Sequence, residues 1–161
     1  MLTITQKIQL LEIDHLVKTL TMYIEKLKRI LWDIMKQVFF TSVKHFPGHG
    51  DTDKDSHKTL PVISGNIERL NKVELYPFKK LIEDGVVESV MTAHLSVPSL
   101  DKRFPSSLSK KTINDLLIQE YNFTGITVTD ALDMKGVLQD PKINVDLRAF
   151  EVGNDIILMS T

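Results

Sequence analysis

Apolar residues recur at three- and four-residue steps through the first part of the chain: Ile13, Leu16, Val17, Leu20, Ile24, Leu27, Leu31, Ile34, Met35 and Val38. That spacing puts them on one side of a helix. It predicts a long amphipathic helix from Asp14, a capping residue type, to about Lys36, with Lys26, Lys28 and Arg29 facing water. The period then changes. Val38 to Val43 is a short continuous apolar run that reads as a buried strand, followed by a polar stretch from Lys44 to Lys58 whose loop ends near Leu60 and Pro61. Pro77 suits the first turn of a helix carrying Phe78, Leu81 and Ile82, and Gly85 is placed to stop it.

The same alternation repeats downstream. Val86 to Ala93 reads as a strand, and Ser109 caps a helix built on Ile113, Leu116, Leu117 and Tyr121. Ile126 to Thr129 is a third strand, and a short helix over Val145 to Phe150 leads to a last strand, Asp155 to Met159. Strands alternating with helices imply parallel strands joined by right-handed crossovers, hence an α/β fold. The organisation is one domain over 1–161, with a helix in 1–40 and strand–helix units in 41–161.

Composition narrows the function classes. Twenty Lys and Arg stand against twenty-one Asp and Glu, a formal net charge of -1. That balance gives no electrostatic case for nucleic acid or an anionic membrane surface as partner. Cysteine is absent, which removes disulfides, thiolate metal sites and a Cys nucleophile. No apolar run is long enough to span a bilayer, and the first residues lack a basic start and carry Gln6, Lys7, Gln9 and Glu12. The expectation for the chain as it stands is a cytoplasmic location.

The chemistry gathers behind the strands. Lys44, His45, His49, Asp51, Asp55 and His57 follow the first, His94 the second, Asp130 and Asp133 the third. In parallel α/β folds these strand ends open on one face, where active sites lie. Spacing leaves two readings of the first loop. Its three histidines with Asp51 and Asp55 could gather round a divalent metal such as Zn²⁺ or Mn²⁺. Alternatively Asp55 orients His57 and stabilises its protonated form for proton donation, with Asp130 as a nucleophilic carboxylate facing the same space.

The run Lys44-His45-Phe46-Pro47-Gly48-His49-Gly50-Asp51-Thr52, followed by Asp55-Ser56-His57, resembles the signature loop of family 3 glycoside hydrolases, and within it the bacterial β-N-acetylglucosaminidase (NagZ-type) branch. Thr129-Asp130-Ala131-Leu132-Asp133-Met134 resembles the segment that carries that family's nucleophile, and Ala93-His94, Pro105 to Ser109 and Gly153-Asn154-Asp155 follow in the family's order. The resemblance implies a retaining hydrolase of terminal β-linked N-acetylglucosamine, with cell-wall muropeptides among its substrates. It implies Asp130 as nucleophile, His57 as general acid/base with Asp55 as its partner, and Lys44 and His45 as hydroxyl-binding residues. His94 follows the second strand on the same face, either as a candidate substrate-binding residue or as a partner for buried backbone. No metal and no cofactor are implied. Most retaining glycosidases use two carboxyl groups; here an imidazole takes the place of the second.

The family's fold is a (β/α)8 barrel of about 250 residues, whereas this chain has 161. The expectation is therefore a partial TIM barrel holding about the last four strands behind a long helix. The family's earlier strands, with the Asp and Arg that grip the sugar, have no counterpart, and Glu25 to Val38 departs from the family pattern. Such a piece leaves sheet edges unpaired and an apolar side uncovered. Its expected partners, besides the glycoside, are a second copy of itself or a separate N-terminal half. The competing expectation is an inactive remnant serving as an interaction or sugar-binding module.

Overall fold

In the computed structural model, the residues described are 4–35, 41–49, 60–134, 137 and 143–159. The chain runs α1 (Ile4–Met35), β1 (Ser42–Phe46), α2 (Ile67–Lys72), α3 (Leu75–Glu83), β2 (Ser89–Thr92), a 3₁₀ turn (Ser106–Leu108), a π-helix (Lys111–Glu120), β3 (Ile126–Thr129) and α4 (Val145–Glu151). The strands form a three-stranded parallel sheet in the order β1-β2-β3. The fold is α/β, as the alternation of periods requires.

Each element has a local cause. β3 occupies the residues expected of it, and its partner register with β2 is unbroken from Ser89↔Ile126 to Thr92↔Thr129. Between β1 and β2 the register shifts: Val43 faces Val90, but Phe46 faces Thr92, so β1 carries one extra residue. The irregularity falls on Lys44 and His45 and re-aims them away from plain strand alternation. The peptides Lys44-His45 and Phe46-Pro47 are both cis.

The π-helix follows Ser109, whose hydroxyl accepts from Thr112 N at 3.2 Å, and it closes with Tyr121 N donating to Leu116 O across five residues. α2 is a helix that the pattern reading did not assign. Asn66 caps it through Arg69 N at 2.9 Å, and one side chain, Leu70, is fully buried. Six residues with a single buried position leave almost no periodic trace.

Three other expectations are corrected. α1 is already helical at Ile4, so Asp14 lies inside it and cannot be its cap. α3 begins at Leu75, two residues before Pro77, which still falls within the first turn where its missing N–H costs nothing. The last strand reduces to one bridge, Val128↔Ile156. The segment nonetheless lies along β3: Thr129 N donates to Ile156 O at 2.9 Å, and Leu132 N to Leu158 O at 3.0 Å.

The main core lies between the sheet and its crossover helices, built on Phe46, Leu75, Phe78, Val90, Leu117 and Phe123. Full burial of such side chains stabilises by about 1.5–3 kcal/mol each. α1 packs against α3 through Ile24 and Leu31 on Leu81 and Val86, and Lys28 reaches Asp84 at 2.8 Å. No helix among the described residues is long and apolar enough to cross a membrane.

Candidate active site

The strand ends bring two of the expected site residues together. His45, on the irregular end of β1, places Nε2 3.9 Å from Oδ2 of Asp130, the residue after β3. Both side chains are about three-tenths exposed, 30% and 27%. Asp130 is fixed at two points: its N–H donates to Thr92 O on β2 at 2.9 Å, and its Oδ1 accepts from the amide of Ala131 at 2.9 Å. One oxygen is thus occupied by the backbone while the other is directed toward His45.

Burial is the main reason the His45 imidazole is held below the ordinary histidine pKa of 6.5; the charges of Lys44 and His49 push the same way, and Asp130 opposes them. The ring is therefore neutral near pH 7, and its approach to Asp130 is a dipole–charge contact rather than a salt bridge. His49 stands edge-on to His45, with ring centroids 5.9 Å apart. Lys44 is exposed.

Lys44, His45 and His49 also line a cavity of about 510 Å³ between α1 and the end of β1, closed by Leu16, Leu20 and Phe78. Glu74 and Arg69 share this wall and pair at 2.9 Å. Pattern reading missed them, because neither follows a strand; Glu74 is buried where α3 begins, under Gly48. His45 is common to the cavity and to the contact with Asp130.

His94 lies elsewhere in the scheme. It is 3% exposed and both ring nitrogens are engaged, Nδ1 with Ser107 Oγ at 2.7 Å and Nε2 with Ala131 O at 2.9 Å. Asp133 is exposed. Asp51, Asp55 and His57, the expected acid/base pair among them, lie outside the described residues. Among the described residues no three His, Asp or Glu side chains gather as a metal site.

Comparison with known proteins places these strand ends in a family. Residues 15–161 match the family model of the glycosyl hydrolase family 3 N terminal domain. β-Hexosaminidase A of Pseudoalteromonas piscicida is 36% identical over 132 residues, 74% of this chain and 22% of that protein. The β-N-acetylglucosaminidase of family 3 from Paenibacillus sp. FPU-7 superposes with a TM-score of 0.70 at 41% identity, over 75% of this chain and 23% of that one. NagZ from Neisseria gonorrhoeae gives a TM-score of 0.65 at 31% identity, over 74% and 33%. The chain thus spans about a quarter to a third of the length of these relatives.

Proposed function

The chain belongs to glycosyl hydrolase family 3, and from that premise we propose that it carries the nucleophile side of a retaining β-N-acetylhexosaminidase site. The observation behind this is the seat of Asp130. It is a carboxylate just past the end of the parallel strand β3, one oxygen held by the Ala131 amide and the other turned toward His45. That seat suits a group that must attack an anomeric carbon along one direction.

In this reading Asp130 Oδ2 attacks the anomeric carbon of a terminal β-N-acetylglucosaminide and the glycosidic C–O bond breaks. His57, oriented by Asp55, protonates the leaving oxygen. A water then gives its proton to His57 and attacks the same carbon, releasing Asp130 with the sugar's configuration retained. Lys44 and His45 hold sugar hydroxyls, a role suited to an exposed ammonium and a neutral imidazole that can donate or accept. Cell-wall muropeptides in the cytoplasm are the substrate class this assignment favours.

The sheet is read as the later part of a (β/α)8 barrel. Its parallel order, the strand-like segment beside β3 and the match to a quarter to a third of the relatives support that reading. The remainder of the sugar pocket then lies outside these residues, in the N-terminal half of the barrel or in a second copy that completes it.

Release of chromophore from an aryl β-N-acetylglucosaminide tests the assignment. Replacing Asp130 by Ala is expected to remove turnover by at least about 10³-fold, since a nucleophile has no substitute in a covalent mechanism. Turnover that survives Asp130→Ala rules out the proposed nucleophile. No turnover in the unaltered chain at any concentration points to an inactive half, and the question becomes which partner completes it.

A further inference from the structure

Six hydrogen bonds form a closed circuit that begins and ends at Asp130. Its N–H donates to Thr92 O at 2.9 Å. The Thr92 hydroxyl donates to Asn154 Oδ1 at 2.9 Å, and Asn154 Nδ2 donates to Ser107 O at 2.9 Å. Ser107 Oγ meets His94 Nδ1 at 2.7 Å, His94 Nε2 meets Ala131 O at 2.9 Å, and Ala131 N returns to Asp130 Oδ1 at 2.9 Å. Thr92, Ser107, His94 and Asn154 are each 3% exposed or less.

The proton positions in the circuit follow from chemistry. A carbonyl oxygen only accepts, so His94 Nε2 carries the hydrogen and Nδ1 accepts from the Ser107 hydroxyl. Burial, the largest influence on this ring, pushes its pKa below 6.5 and keeps it neutral, as that tautomer needs. Fully satisfied polar networks in a low-dielectric interior are rigid, and removing one member leaves others unpaired at a cost.

We propose that His94 is a positioning residue for Asp130: through the Ala131 carbonyl it fixes the residue whose own backbone N–H holds Oδ1, and it makes no contact with the sugar. Ser107 and Asn154 stand behind it as supports. The inference rests on Asp130 being the nucleophile for its kinetic consequence, but not for its geometry. Loss of the Nε2–H bond frees the Ala131 backbone to shift, and the carboxylate held by its N–H turns with it.

The test has one arm in kinetics and one in nuclear magnetic resonance. With an aryl β-N-acetylglucosaminide, His94→Phe is expected to lower kcat by about 10–100-fold, the scale of a misplaced reacting group, with KM little changed. His94→Gln, which keeps an N–H near the Nε2 position, is expected to recover most of that loss. A rise in KM in both variants with kcat intact would instead mean direct contact with the sugar and overturn the proposal.

The second arm needs no turnover. Imidazole ¹⁵N shifts of the unaltered chain should show His94 as the neutral Nε2–H tautomer at pH 7, and the Ala131 amide resonance should move in His94→Phe. The opposite tautomer, an imidazolium at pH 7, or an unmoved Ala131 amide overturns the proposal. If the unaltered chain turns over no substrate by itself, this arm alone decides the His94 assignment. If His94→Phe does not fold, Ser107→Ala takes its place: the ring should keep its Nε2 hydrogen, and the Nδ1 shift should move toward that of an unbonded nitrogen. A Nδ1 shift unchanged in Ser107→Ala overturns the circuit.

Discussion

His45 and His94 are both held below the ordinary histidine value, and in both burial is the leading cause. The sign of the resulting pH dependence is fixed. An unfolded chain takes up a proton on histidine near pH 6.5, while these two folded rings do so lower. Between the two values the unfolded state binds more protons, so stability rises with pH across that window. The contribution is complete above about pH 6.5 and is lost as pH falls through the window toward the folded values. Urea midpoints measured from pH 8 to pH 5 should therefore drop on the acid side, and His94→Gln should flatten the drop. An identical slope in the variant would mean that His94 is not coupled to folding. At this same scale the sequence told only part of the story. The segment Thr129–Met134 points to Asp130, and the structure seats Asp130 beside His45. The structure puts His94, grouped with the sugar-binding residues because it follows a strand, inside a buried circuit instead. A buried role is one of its two readings, but its partners are beyond reach of the sequence: Ser107 and Ala131 lie 13 and 37 residues away, and Asn154 joins Ser107 across 47.

At the scale of elements, the loop after β1 is held by a glycine. Gly48 has φ +133°, and a Cβ placed there would stand 2.7 Å from Glu74 Cβ and 3.1 Å from Glu74 backbone atoms. The loop that carries His45 and His49 therefore rests directly on the start of α3. Gly48→Ala must strain a backbone that side chains rarely adopt and also displace that contact, at a cost of about 2–4 kcal/mol. Gly85→Ala is the control: φ is +67°, but nothing lies within 4 Å of the added carbon. Its cost should be only the left-handed conformational penalty, about 1–2 kcal/mol. Urea denaturation of both variants checks the order, and equal losses would show that the loop does not depend on its seat against Glu74. Where hydrophobic period is sustained, sequence and structure agree, as in β3 and in α4, which runs one residue past the expected end at Phe150. They part where tertiary pairing decides. Asp155 to Met159 has the apolar content of a strand, yet only Ile156 completes a bridge. The one-residue excess in β1 cannot be read from β1, because it is defined by its register against β2.

At the scale of the whole molecule, α1 is apolar on more than the side it uses. Ile24 and Leu31 face α3 and are buried, but Leu16, Tyr23, Leu27 and Ile30 are 40%, 60%, 40% and 47% exposed. Those four follow the alternating three- and four-residue steps of a helix–helix seam, with Leu20 between Leu16 and Tyr23. Lys26 and Asp33, seven residues apart, flank the seam at the same heptad position and are exposed. Two antiparallel copies of the seam put Lys26 of each beside Asp33 of the other, a match that favours a second copy of this chain as the occupant. Light scattering on a sizing column should then show a dimer that dissociates on dilution. Leu27→Glu combined with Ile30→Glu should give a monomer with unchanged helical circular dichroism, since neither side chain is part of the buried core. If the hydrolase site is completed across such a dimer, this pair of substitutions should also remove turnover, although neither residue lines the cavity beside His45. A monomer in the unaltered chain at every concentration would refute the seam. Full activity in a monomeric double variant would separate association from catalysis and place the rest of the sugar pocket elsewhere than in a second copy.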